Sequence, residues 1–118
     1  MKGFSKVVEV LSNYKRYQVR LKSIKIKLKF EVLDEELKSN LLEEKEEKEK
    51  VLKLVDNALE VLDQDLELPL IRAKYLNEGV KQDNLVYRSR EFPYSSSHYY
   101  RVKKRALRKL DDNIGDLL

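Results

Sequence analysis

Three glycines and two prolines are all the backbone punctuation in 118 residues. Glycine and proline are the residues that most readily interrupt regular structure, so a chain this short of them is expected to run in long helices. The length suits one modest domain, or a small domain with an arm. There is no cysteine, hence no disulfide framework and no thiolate metal site. His98 is the single histidine, too few for a His-based metal cage, and no cofactor is expected. No run of about 18 apolar residues exists to span a membrane, and no secretory leader is visible. A cytoplasmic protein is the default expectation.

The net charge is +4, but its distribution says more than its sum. Residues 1 to 30 hold nine Lys/Arg and one acid, Glu9. Residues 31 to 67 hold five Lys and fourteen acids. Residues 68 to 118 hold eleven basic residues and six acids. Two basic ends flank an acidic middle. The ends can face a polyanion while the middle stays clear of it, or packs on a basic arm of its own or a partner chain.

A first helix opens near Ser5. Val7, Val10, Tyr14, Tyr17, Leu21, Ile24 and Leu28 follow at steps of three and four, a heptad-like seam. Val10, Tyr14, Tyr17, Leu21 and Ile24 form the candidate dimer interface, and packing within the chain would use the same residues. From Ile24 to Val32 apolar and charged residues alternate strictly, which is a strand signal. Both periods fit residues 24 to 28; the expectation is a helix ending near Lys22 and an extended segment to about Leu33. Ser39-Asn40 can cap a second helix, with mixed charges over Glu43 to Lys50 and an apolar face from Val51, Leu54, Val55, Ala58, Val61 and Leu62. Asp63-Gln64-Asp65 can cap again. Leu66, Leu68, Leu70, Ile71, Tyr75 and Leu76 make the next apolar face. Pro69 belongs in a first helical turn, and Gly79 suits a left-handed C-cap. Asp83 is an N-cap candidate for a short helix from Asn84 to about Glu91, and Phe92-Pro93-Tyr94 a turn.

The last helix is the most informative. Ser95-Ser96-Ser97 offers an N-cap hydroxyl. Tyr99, Val102, Ala106, Leu107, Leu110 and Ile114 then recur on one helical stripe. Arg101, Lys103, Lys104, Arg105, Arg108 and Lys109 lie beside them, with no acid from 98 to 110. An apolar back, a cationic front and a small polar N-terminus are what a DNA-recognition helix needs. An amphipathic helix with solvated charges has the same look.

Leu59-Glu60-Val61-Leu62, a capped turn, Leu70 to Gly79, a short helix, then Tyr94-Ser95 and Tyr99 to Leu107 resemble, in that order, the C-terminal half of the ArpU/RinA-like transcriptional regulators of Gram-positive phages. Those in turn resemble region 4 of sigma-70-type factors, where an ending like Ala106-Leu107-Arg108-Lys109-Leu110 also occurs. The resemblance spans about residues 51 to 112. It implies a four-helix DNA-binding domain of the sigma-region-4 kind; the chain as a whole is expected to be all-α, with residues 1 to 40 as an N-terminal helix and possible extended arm for dimerisation or packing. Residues 41 to 118 would form a sigma-region-4-like bundle with a helix-turn-helix at about 83 to 112. It also implies a role in switching on phage or prophage genes, often the late operon. By position, Ser96, Ser97, Tyr100 and Arg101 fall where such helices meet bases. Arg88 departs from the family's usual apolar residue, and Phe92-Pro93 stands where a glycine often replaces the proline.

Arg101 is the foremost base-reading candidate, since a bidentate contact to guanine is the commonest specific one. His98, Lys103, Lys104, Arg105 and Arg108 are assigned to phosphates, about four to six of which would make binding steeply salt-dependent. The expected partners are double-stranded DNA, a second copy of the chain and RNA polymerase. The competing reading is an interaction module that engages polymerase or another regulator without reading DNA. An enzyme is not expected: no phosphate-binding Gly cluster, Cys nucleophile or Ser/His/Asp set is present. The aromatic-sheet signatures of common RNA modules are also missing.

Overall fold

The computed structural model describes residues 4–89 and 95–118, and no strand occurs among them: the fold is all-α. Five helices follow in order. They are α1 (Ser5–Phe30), α2 (Glu35–Ala58), α3 (Glu67–Ile71), α4 (Asp83–Tyr87) and α5 (Ser96–Ile114). A 3-10 turn, Leu59–Val61, extends α2, a π turn, Arg72–Leu76, extends α3, and a 3-10 turn, Gly115–Leu117, follows α5.

The first helix does not stop near Lys22, and the extended segment expected to Leu33 is helix as far as Phe30. The strand-like alternation has a helical meaning. At 100° per residue, alternate positions lie 200° apart, so the apolar residues split onto two opposite faces. Ile24 is 1% exposed and Leu28 half-buried on one face; Ile26, 59% exposed, and Phe30 lie on the other. A strand would have needed a neighbour to pair with; the helix has one to pack on. Leu21 and Ile24 are buried against α2, so this part of the candidate dimer seam is used within the chain. Val10, Tyr14 and Tyr17 are half-buried along the same side.

The second helix starts at Glu35, ahead of the expected Ser39-Asn40 cap. Asp34 caps it, its carboxylate accepting from the Leu37 amide at 2.8 Å. The 40/41 boundary expected between arm and domain therefore falls inside α2. The two helices form an antiparallel hairpin, as rising numbers in α1 meet falling numbers in α2. Tyr14 Oη donates to Asp56 at 2.6 Å, Lys48 Nζ sits 5.0 Å from the Tyr17 ring, and Arg20 donates twice to Glu44 at 2.7 and 2.8 Å. Burial and the Asp56 hydrogen bond push the Tyr14 hydroxyl up to about 12.

At the base of the hairpin a single core forms. Phe4, Val7 and Leu11 of α1 join Val55, Ala58, Leu59 and Leu62 with the buried residues of α3, α4 and α5. Val61, expected inside, points out: the 3-10 tightening turns Leu59 inward in its place. Asp63 does not cap α3, whose N-cap position is Leu66; its carboxylate instead orders the preceding turn, accepting from the amides of Asp65 at 3.0 Å and Leu66 at 2.7 Å. Pro69 sits in the first turn of α3, and Gly79 takes φ +83°, as a left-handed turn requires.

Candidate nucleic-acid interface

The last helix is held by its N-cap. Ser95 Oγ accepts from the His98 amide at 3.2 Å, and the Ser95 carbonyl from Tyr99 at 3.0 Å. All six residues of the expected apolar stripe are buried: Tyr99, Val102, Ala106, Leu107, Leu110 and Ile114. On the far side of residues 90–94 lies α4, with Val86 buried and the Tyr87 ring edge-on to Tyr99 at 5.4 Å. The α4 helix ends at Tyr87, short of the expected Glu91. Arg88, the departure from the family pattern, is exposed, and the turn at Phe92-Pro93-Tyr94 lies outside the described residues.

Two acids fix the orientation of α5 about its axis. Asp83 does not cap α4. Its carboxylate faces α5, accepts from Tyr99 Oη, and accepts from Lys103 Nζ at 3.0 and 3.1 Å; Lys74 Nζ is 3.6 Å away. Burial opposes its charge, but the Tyr99 hydroxyl and the Lys103 ammonium outweigh burial and hold the carboxyl below its ordinary range. Burial and Asp83 in turn push the Tyr99 hydroxyl upward. The second acid is Glu67, fully buried at the start of α3. It accepts from Arg105 Nε at 2.5 Å, Lys109 Nζ at 2.7 Å and the Asp63 amide at 2.9 Å. Here too burial works against ionisation, and Lys109, the Asp63 amide and Arg105 together prevail to depress the pKa.

The cationic front of the helix is thereby divided. Lys103 and Arg105, both assigned to phosphates, are bound to internal acids, with Arg105 also 3.6 Å from Asp63. Arg101, Lys104 and Arg108 are exposed and make no ion pair among the described residues. With Ser97 they lie at steps of four, three and four, one straight stripe about 16 Å long at 1.5 Å per residue. No family model, curated protein or solved structure matches the chain.

The other assigned residues sit around it. Ser96 is exposed beside the cap, and His98 is half-buried. Tyr100 turns to one flank. Its ring lies 5.2 Å from Tyr99 and 6.3 Å from Tyr87, with Lys103 Nζ over it at 5.4 Å. It walls a cleft of about 660 Å³ lined by Phe4, Val8, Tyr75 and Leu107, so it faces the first turn of α1 as well as solvent. Sequence reasoning missed the roles of Asp83, Glu67 and Lys74. A buried acid has no periodic signature. The one available sign was the Asp63 to Glu67 spacing, close to that of a reciprocal cap. Among the described residues no group of three or more His, Asp or Glu comes together to hold a metal ion.

Proposed function

We propose that the chain is a sequence-specific DNA-binding regulator, and that α5 is its reading helix. The observation that carries this is the exposed stripe Ser97, Arg101, Lys104 and Arg108, clear of internal acids and ending at a capped, small-residue N-terminus. Such a terminus can approach a groove closely, and its amides favour a phosphate. Arg101 reads a base; Lys104 and Arg108 hold phosphates. The resemblance to ArpU/RinA-like regulators supports a role as a phage or prophage transcription activator in a bacterial cytoplasm. Two-fold pairing would lengthen the site read, through a surface other than Leu21 and Ile24.

The test is fluorescence anisotropy of the purified protein on DNA fragments tiled across its own genome neighbourhood, with a salt titration. One fragment should bind tightly. Arg101→Ala should abolish that preference, at a cost of about 1 to 3 kcal/mol, while Lys104→Ala weakens all fragments alike. With Lys103 and Arg105 spent internally, about two to four phosphates are neutralised per chain, for a log–log salt slope of about −2 to −4. Equal, weak binding to every fragment, unchanged in Arg101→Ala, would reject the reading. The internal pairing of two expected phosphate contacts favours the second reading, a module that engages RNA polymerase or another regulator; co-elution with polymerase in the absence of DNA preference is its signature.

A further inference from the structure

The outer face of α1 carries a second apolar stripe that nothing among the described residues covers. Val19 is 52%, Ile26 59% and Phe30 73% exposed, on the side of the helix turned away from α2. With Ser23 between them, they fall at steps of four, three and four, a heptad seam of alternating d and a positions. Only that seam is apolar. A helix lying on a lipid surface needs a broad apolar face, whereas a strict a/d line is the narrower mark of helix-on-helix packing.

The flanks of the seam decide what can lie on it. The e and g positions beside it are Arg20, Lys22, Lys27 and Lys29, every one of them basic; Arg20 is already held by Glu44 and Lys27 lies 3.8 Å from Glu31, which leaves Lys22 and Lys29, both on the g flank, as the cations open to a partner. In a coiled coil these positions meet the partner's own e and g residues and set partner choice. A second copy of α1 laid antiparallel would bring Lys22 against Lys29 along the g flank. The copy's acidic α2 offers no matching seam: the outward side of its middle is Glu43, Glu46 and Lys50. Charge complementarity therefore selects a helix whose e and g positions are acidic.

We infer that the outer face of α1, along Val19, Ile26 and Phe30, is the docking seam for an acidic amphipathic helix of another protein. This surface lies on the hairpin beyond the core that holds α5, and it does not depend on DNA binding.

The probe is a labelled synthetic peptide of three heptads with Leu or Ile at a and d and Glu at e and g. Anisotropy with the full chain should show saturable binding, weakened about tenfold by Ile26→Ser and by Phe30→Ser, since each removes a large buried apolar contact. Both residues are exposed, so circular dichroism should show unchanged folding. Arg101→Ala should leave peptide binding unaltered, which separates this seam from the α5 stripe. The same peptide with Lys at e and g should not bind. Equal binding by a Glu peptide with Ser at a and d would reduce the effect to bulk charge and overturn the proposal. A light-scattering mass that halves in Ile26→Ser would assign the seam to a second copy. Ile26-dependent binding to phosphatidylserine-containing vesicles, with no peptide binding, would assign it to a membrane. Either result would overturn the proposal.

Discussion

Glu67 holds α5 to α3 through a single buried carboxylate that answers two cations and one amide. Arg105 and Lys109 reach it from half-exposed positions, so their charges are partly solvated and the net stabilisation is smaller than for a fully buried pair. Glu67→Gln keeps the shape and removes the charge. It should cost about 2 kcal/mol in urea denaturation, because hydrogen bonds to a charged group are the stronger kind. The pH dependence follows from the depressed pKa values of Glu67 and Asp83. Both ionise more easily folded than unfolded, so their contribution is complete above their ordinary values of 4.5 and 3.8 and is lost as pH falls through the lower folded values. The wild-type chain should hold a stability plateau at neutral pH and lose stability below about pH 4.5. Glu67→Gln should flatten that acid limb, and an unchanged limb would mean that Glu67 is not what titrates. The same substitution frees Arg105 and Lys109. Non-specific DNA affinity should therefore rise while stability falls, an outcome that no loss of folding could mimic.

At the scale of the element, α1 shows what a periodic pattern settles and what it leaves open. Ile24 and Ile26 are two residues apart and chemically identical, yet one is buried and the other exposed. Ile24→Ser should destabilise the chain by about 2 to 4 kcal/mol in thermal or urea unfolding, and Ile26→Ser by less than about 0.5 kcal/mol. Equal effects would mean that the two side chains share an environment and that the two-faced helix is wrong. The strand signal at 24 to 32 arises because the two opposite stripes of a two-faced helix, taken together, also fit the alternation of a strand. Periodicity records spacing; whether a neighbour exists to pair with it is a tertiary fact. The second helix illustrates the same limit, since Asp34 and Ser39 are both good caps and the side chain that reaches an amide decides. By contrast, α5 was legible throughout: a serine cap, six apolar positions and the basic residues between them all lie where the spacing put them. Which basic residues would be spoken for was not legible, because Glu67 lies 38 residues from Arg105 along the chain.

Across the whole molecule, 55 × 30 × 23 Å, apolar burial is concentrated at one end. The main core takes in Phe4, Val7 and Leu11 of α1 and the back of α5, while Leu21, Ile24 and Leu41 are buried outside it along the hairpin. The distal half adds surface ion pairs, Arg20 with Glu44 and Lys25 with Glu49, which are solvated and contribute little each. Local stability should follow that gradient. In native-state hydrogen exchange at neutral pH, amides of residues 20 to 30 and 36 to 45 should exchange about tenfold or more faster than those of 102 to 110. Salt is the perturbation that distinguishes the causes. Mild acid would not, because hydrogen bonds from Arg20 and Lys48 pull the Glu44 carboxyl down to about 2. Raising salt to about 1 M shortens the screening length to about 3 Å and should loosen the distal hairpin selectively, leaving α5 protection unchanged. Uniform protection along α1 would show instead that the hairpin opens only with the core. The gradient matters for both surfaces. A helix that reads DNA works best when held rigid by its own core, and α5, for which that role is proposed, has such a core behind it. A seam awaiting a partner helix is favoured where the chain can still adjust, and the seam along Val19, Ile26 and Phe30 lies on the half of the hairpin where the fewest buried contacts resist it.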